Sequence, residues 1–182
     1  MKILLDIDKN KIFRIATISI VFLALMLTFQ WYYGKNVVTK KLQSALFQNK
    51  NIVTADITKE RERITIYLTL KDVDNLMEVY NNIYDAIEHQ LKGQPFEVKI
   101  INNANSAIKD LFDNEIQFIM YEAIQTGKYT EMKARLDEIK NTKIEKNISE
   151  PYEIKVFIDT NNLYLQIKHG KSNFYKVFKQ ET

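Results

Sequence analysis

One uncharged stretch constrains this chain more than any other feature. The run from Ile15 to Tyr33 holds nineteen residues and no charged side chain. A helix needs about 20 predominantly apolar residues to cross the roughly 30 Å hydrocarbon layer of a bilayer, so this run has the length of one membrane span. Trp31, Tyr32 and Tyr33 end the run, and aromatic side chains favour the membrane interface. The sequence therefore predicts a transmembrane helix, with the lipid bilayer as its first partner.

The run also has the features of an anchor that is not removed. A cleavable signal peptide has an apolar core of about 7 to 15 residues followed by a small-x-small site. This core is longer, and the residues from Gln30 to Lys35 offer no such site. We predict an uncleaved anchor, represented by Ile15, Val21, Leu25, Trp31, Tyr32 and Tyr33.

Basic residues on the two sides of the run predict its orientation. Four precede it and three follow it closely: Lys2, Lys9, Lys11 and Arg14, then Lys35, Lys40 and Lys41. The positive-inside rule then favours a cytoplasmic N-terminus. We expect residues 1–14 in the cytoplasm, residues 15–33 in the cell membrane, a juxtamembrane helix at 34–50 and an extracytoplasmic domain at 51–182. A division of that domain into 51–103 and 104–182 is the alternative.

Charge and composition exclude several classes of function. The net charge is +3, and residues 1–35 carry all of it, because the remaining chain has 21 basic and 21 acidic residues. A nucleic-acid-binding domain would concentrate positive charge on its soluble part, so we expect no nucleic-acid partner. The chain has no cysteine and two histidines. It therefore has no disulfide and no thiol nucleophile, and we expect neither a metal site nor a cofactor.

The first half of the soluble part reads helix, strand, strand, helix, strand. Apolar residues recur at helical spacing from Asn36 to Gln48, and strands are predicted at Ile52–Thr58 and from Ile64 to Leu70. The charged link Lys59–Arg63 predicts a hairpin tip. A helix should begin at Asp72 or Asp74 and end at Lys92-Gly93, with the glycine in the left-handed position. Phe96 to Ile100 alternates as a third strand.

This element order resembles that of the ring-building modules of bacterial secretion and sporulation membrane complexes. The resemblance covers residues of roughly 37 to 101 and rests on the order alone. Such modules are small membrane-tethered α+β domains, so the resemblance implies a role in assembly.

The second half of the soluble part predicts a helical hairpin and a β-meander. Asn105 or Ser106 can cap a long helix that Gly127 ends, and a second helix carries Met132, Leu136 and Ile139. Three alternating stretches then follow, at Ile154–Ile158, Leu163–Ile167 and Phe174–Phe178. The predicted fold class is α+β: one N-terminal transmembrane helix, then a small domain with antiparallel strands, a helical hairpin and a C-terminal β-meander.

Residues with catalytic chemistry are sparse. Gly170-Lys171-Ser172 resembles the tail of a phosphate-binding loop, but position 165 is leucine where that loop needs glycine. We interpret His89 as a solvated helical residue and His169 as a solvated turn residue. Asp110, Asp113 and Glu115 suit a helix start, where negative charge opposes the helix dipole. We predict no enzyme; a hydrolase using His89 or this acidic helix start is the alternative.

The C-terminal stretch is the candidate interaction surface, because lysines and aromatic residues interleave in it. Its residues are Lys168, Lys171, Phe174, Tyr175, Lys176 and Phe178. It could pair as a strand with a partner or contact anionic lipid. An amphipathic edge strand whose lysines prevent aggregation fits the same pattern.

The sequence thus predicts a membrane-anchored module for protein interaction or assembly. Its partner would be another protein or further copies of this chain in the same membrane. An extracytoplasmic ligand-binding sensor is a third alternative.

Overall fold

The computed structural model describes residues 9–60, 63–145 and 151–180, leaving out the side chains at 9–11, 30–38 and 143–145. The elements are α1 (Lys9–Phe47), β1 (Ile52–Glu60), β2 (Arg63–Leu70), α2 (Leu76–Leu91), β3 (Phe96–Ile100), α3 (Ser106–Leu111), a π-helical segment (Phe112–Ile116), α4 (Gln117–Thr126), α5 (Tyr129–Glu145), β4 (Tyr152–Ile158), β5 (Asn162–His169) and β6 (Ser172–Lys179). The predicted α+β class is confirmed.

Helix α1 contains the apolar stretch. Its segment Ile12–Phe29 is long and apolar enough to cross a membrane, and all of its side chains are exposed. Ile15, Val21 and Leu25 lie in this segment. The backbone of Trp31–Tyr33 continues the helix, but the side chains of these three residues lie outside the described part of the chain. Helix α1 runs through Gly34 without a break and ends at Phe47, so a helix covers most of the 34–50 segment for which a juxtamembrane helix is predicted.

Two compact units divide the chain, at Met1–Leu42 and Gln43–Thr182. The second unit contains the six strands of the described residues, in two sheets of three. Sheet A has the order β1-β2-β3, with β1 and β2 antiparallel and β3 parallel to β2. Sheet B is the predicted meander β4-β5-β6, antiparallel throughout. The predicted hairpin tip of sheet A includes residues 61 and 62, which lie outside the described residues.

The β2-α2-β3 crossover places α2 on one face of sheet A. Parallel strands need such a crossover, and the helix within it covers the sheet. Buried residues of the strand alternate along β2, namely Ile64, Ile66, Leu68 and Leu70. In register with them, Phe96, Val98 and Ile100 of β3 share that face. The ring of Tyr84 on α2 lies 4.8 Å from the ring of Phe96, centroid to centroid.

Sheet B is covered on both faces. Toward α3, α4 and α5 it presents Leu163, Leu165 and Ile167, which join one core cluster with residues of those helices. On its other face Tyr164, Gln166 and Tyr175 are also buried. Tyr164 meets α2, where the ring of Tyr80 lies 5.7 Å from its own, and Gln166 donates to the carbonyl of Val73. Five consecutive residues of β5, 163 to 167, are therefore buried.

Helix α2 begins at a different cap from the one predicted. The N-cap is Asn75, whose side-chain oxygen accepts from the Glu78 amide at 3.2 Å, so the prediction of Asp72 or Asp74 is wrong. Asp72 instead pairs with Lys168 across to sheet B. At the other end the left-handed C-cap is Lys92, at φ 49°, and Gly93 follows at φ 87°. This end of the helix therefore has two residues with positive φ, whereas the sequence predicts only one, Gly93.

The long helix after β3 has the predicted ends. Asn105 is its N-cap and accepts from the Ile108 amide at 2.9 Å, while Gly127 takes the left-handed C-cap at φ 71°. Between these ends the π-helical segment Phe112–Ile116 separates α3 from α4. One wide turn of this kind changes the direction of the following side chains. Apolar spacing alone did not indicate it.

The cap of α2 gives the first prediction. Asn75→Ala removes the hydrogen bond to the Glu78 amide, and we expect the free energy of unfolding to fall by about 1 kcal/mol. Asp74→Ala is the matched control and should change it by less than about 0.5 kcal/mol, because Asp74 is exposed and makes no cap bond. Thermal unfolding of the full chain in mild detergent, followed by near-ultraviolet circular dichroism, measures both. An equal loss in the two variants would contradict this assignment.

Candidate functional site

Two grooves flank Tyr80 on the side of α2 that meets sheet B. The first, here the turn groove, has a volume of about 570 Å³ and lies between α2 and the β4-β5 turn. The second, here the strand groove, has a volume of about 440 Å³ and lies between β3 and β6. Both volumes fall within the roughly 300 to 1,000 Å³ of ordinary ligand sites. Tyr80 lines both, so the two grooves form the candidate site.

A hydrogen-bond network forms one wall of the turn groove. The hydroxyl of Tyr164 donates to Oδ2 of Asp159 at 2.6 Å, and Nδ2 of Asn81 donates to the same oxygen at 3.2 Å. The other Asp159 oxygen accepts from the amides of Asn161 and Asn162, both at 2.8 Å. Asp159 therefore ends strand β4 and ties the turn to α2. The ring of Tyr84, at 6.1 Å from that of Tyr80, extends the wall.

The pKa values of the titratable groups in and beside this network are shifted by burial and by hydrogen bonds. Burial raises the pKa of Asp159, but the hydrogen bonds from Tyr164, Asn161, Asn162 and Asn81 outweigh it and lower the pKa overall. Burial, and then the bond to Asp159, raises the pKa of Tyr164 well above 10. Burial, with the nearby Tyr84 and Glu97, raises the pKa of Tyr80 to about 12. At neutral pH Asp159 is thus an anion and the tyrosines are neutral donors.

The strand groove separates the edge strands of the two sheets. At its closed end Asn173 forms an isolated antiparallel bridge with Asn103. Beside this bridge the side chain of Asn102 acts as a short piece of strand. Its Oδ1 accepts from the Tyr175 amide at 2.7 Å and its Nδ2 donates to the Tyr175 carbonyl at 3.1 Å. Beyond Asn102 no further bridge joins β3 to β6 among the described residues.

Backbone groups of both strands point into the opening. The amide of Ile101, just after β3, donates to the Leu68 carbonyl of β2. Every second residue of β3 therefore directs its backbone N–H and C=O groups toward β2. The residues between them, Val98 and Ile100, direct theirs into the groove. On β6, the peptide groups of Tyr175 face Asn102, so those of Val177, two residues further on, also point away from β5. The groove thus has an unpaired strand edge on each side.

The predicted interaction surface does not form one face. Tyr175 and Phe178 are buried on opposite sides of β6, where Tyr175 bonds the backbone of Lys71 and Val73 and Phe178 meets the ring of Tyr121. Lys168 pairs with Asp72, and Lys171 lies in the β5-β6 turn. The predicted stretch is therefore mainly core packing of an edge strand.

Part of that stretch does line the strand groove. Phe174, Tyr175 and Lys176 all contribute to its wall. The ring of Phe174 lies 4.7 Å from that of Phe112, and the ammonium of Lys176 lies 4.7 Å from the centre of the same ring. This cation-π contact holds Lys176 at the mouth of the groove.

The residues considered for catalysis lie apart from both grooves or at their rims. His89 is exposed on α2. His169 is not the solvated residue predicted, because its ring stacks on Tyr152 and its Nδ1 lies 3.1 Å from Nδ2 of Asn105. Of the acidic helix start, Asp113 lines the strand groove. No group of three or more histidines and carboxylates that could hold a metal ion occurs within the described ranges.

Sequence reasoning missed the residues that build the grooves: Tyr80, Tyr84, Val98, Lys99, Asn102, Asp159, Tyr164 and Val177. One signal was present, since Tyr80 and Tyr84 stand four residues apart and form a second face of α2. The side-chain amide of Asn102 gave no such signal, because its role depends on Tyr175, which is 73 residues away in sequence.

The Asp159 network predicts a dependence of stability on pH. A carboxyl whose folded pKa is lowered stabilises the fold above its unfolded pKa, 3.8, and loses this effect as the pH falls through the folded value. We expect Asp159→Asn to lower the melting temperature of the full chain at pH 7, with the difference from the native chain shrinking as the pH falls below about 4. Asp137→Asn on α5 is the control and should show no such trend. A difference independent of pH would contradict the role of the carboxylate.

Comparison with protein-family models, with curated proteins and with solved structures gives no match for this chain. Its function is therefore argued from the geometry of the grooves and from α1.

Proposed function

We propose that this chain is a single-pass membrane protein whose second unit, Gln43–Thr182, lies outside the cytoplasm and binds a protein partner at the two grooves beside Tyr80. The observation that carries the proposal is an exposed apolar helix in the same chain as a compact unit with two open grooves. Twelve large apolar side chains between Ile12 and Phe29 are exposed, and they would be costly to leave in water, since burying each such side chain is worth about 1.5 to 3 kcal/mol.

The composition of the grooves supports protein binding. Aromatic residues and a few placed polar groups are typical of the centres of protein interfaces. Tyr80 and Tyr84 supply rigid surface at little cost in side-chain entropy, and the Asp159 network fixes polar groups beside them. Anchoring adds a second effect, because it confines the unit and its partners to one plane and raises their effective concentration. A weak interface is then sufficient.

Assembly with copies of the same chain is the second candidate. It is supported by the order α1-β1-β2-α2-β3, the order on which the resemblance to ring-building modules rests. Fold-level likeness does not transmit function, so this candidate needs its own measurement. Light scattering of the full chain in detergent distinguishes the two candidate functions. A defined oligomer favours self-assembly, and a monomer favours a different protein as the partner.

Membrane insertion and orientation are testable together. We expect the full chain to remain in the membrane pellet after carbonate extraction, and a phosphatase fused after Thr182 to be active outside the cytoplasm. Leu23→Arg places a charge at the centre of the apolar segment, which costs about 2.5 to 3.5 kcal/mol, so we expect part of the protein to become extractable. The control Lys50→Arg should not change the result. A fully extractable native chain would exclude the anchor.

Contact with a partner can be mapped in the intact membrane. A photoreactive phenylalanine in place of Tyr84, in the turn groove, should give a specific crosslinked adduct, because the Tyr84 side chain is partly exposed there. The same label in place of Glu138, exposed on α5 and outside both grooves, is the control. Adducts of equal yield at both positions, or none at either, would contradict a partner site beside Tyr80.

A further inference from the structure

We infer that the partner site is completed by strand addition: an extended peptide with alternating apolar and acidic residues enters the strand groove and pairs with the exposed edges of β3 and β6. This inference rests on the proposed function and names the kind of partner. It would join the two three-stranded sheets through one added strand.

The first argument is the pairing potential of the groove. Val98 and Ile100 on one side and Val177 on the other direct backbone N–H and C=O groups into it, and among the described residues none of these outward groups has a partner. Strand addition satisfies such groups by main-chain hydrogen bonds, and alternating side-chain sites then give specificity. Because β3 and β6 are antiparallel at their bridge, an added strand runs antiparallel to one and parallel to the other.

The second argument is that Asn102 already performs this pairing. Its side-chain amide accepts from one backbone group of Tyr175 and donates to the other, as a strand residue would. It also occupies the end of the groove, where β3 and β6 are closest. A peptide entering from the open end would continue the same ladder past Asn102 to Val177.

The third argument concerns the two faces of the groove. Val98, Ile100 and Val177 lie on the face toward α2, with Tyr80 beneath them. Lys99 and Lys176 lie on the opposite face, where Lys99 is next to Tyr67 and Lys176 is over the ring of Phe112. Side chains of an extended peptide point alternately to the two faces. Every second residue of the peptide would therefore meet an apolar surface, and the residues between would meet lysines.

The charges of the lining favour acidic residues at those intervening positions. The lining holds Lys99 and Lys176 against one carboxylate, Asp113. Lys99 has an exposed contact with Glu97 at 3.7 Å, and Lys176 makes no ion pair with any described residue. The face away from α2 is thus net positive, and a glutamate of the peptide can pair with Lys176 without displacing another carboxylate.

Fluorescence anisotropy with a synthetic peptide tests the inference on the full chain in detergent. The probe is labelled Gly-Val-Glu-Val-Glu-Val-Gly, and its control carries the same side chains with N-methylated backbone amides. We expect saturable binding of the probe, and a dissociation constant at least about tenfold larger for the control, because N-methylation removes the donors needed for pairing. Equal binding of the two peptides would overturn strand addition.

Charge reversal tests the side-chain register. Lys176→Glu should weaken binding of the Val-Glu probe about tenfold and allow binding of a Val-Lys peptide, whereas Lys171→Glu, in the β5-β6 turn, should change neither. Val177→Pro removes the outward amide of an edge strand, a position where proline is tolerated, and should also weaken the probe. Circular dichroism establishes that each variant is folded. If a variant is not folded, the comparison of the probe with its N-methylated control on the native chain still tests strand addition.

Two outcomes separate this inference from the proposed function. If the Val-Glu probe fails to bind but the label at position 84 still gives a specific adduct, strand addition is wrong and the proposed partner site stands. In the second outcome, the chain alone forms a dimer that the Val-Glu probe does not disrupt but that the Val177→Pro substitution dissociates. In that case the strand edges pair with a second copy, and the peptide partner is excluded. If neither adduct nor probe binding is found, both proposals fail.

Discussion

The fold of Gln43–Thr182 depends on α2, which packs against both sheets. Its aliphatic residues are buried on the side of sheet A, and Tyr80 and Asn81 contact Tyr164 of sheet B. Among the described residues, the Asn103–Asn173 bridge joins the edges of the two sheets beside this helix. The strand groove lies next to that bridge, with Tyr80 of α2 in its lining.

Much of the fold could be predicted because its elements have local signals. Strand β3 matches its predicted bounds, and Asn105 and Gly127 end the α3 to α4 helix as predicted. The errors concern competition between neighbours: Asp72, Asp74 and Asn75 can all cap a helix, and the structure uses Asp72 for a pair with Lys168. Sequence gives the candidates for a cap, but tertiary contacts decide among them.

The candidate site could be predicted much less well, because it lies where distant segments meet. Burial accounts for the main difference from the predicted interaction surface: sheet B is covered on both faces, so Tyr175 and Phe178 of β6 are core residues. A strand with helices on both sides needs large apolar side chains on both faces. The groove residues Asn102 and Val177 matter through their backbone or amide groups, which no pattern of hydrophobicity reports.

The side chain of Asn102 has a consequence for specificity among copies of the chain. By standing in for one residue of a strand, it already occupies the backbone groups of Tyr175 on the edge of β6. The sheet edge of another copy would have to displace this amide before it could pair along the whole of β6, whereas a single short strand could pair beyond it. The amide of Asn102 would then favour mobile ligands over the stacking of identical molecules.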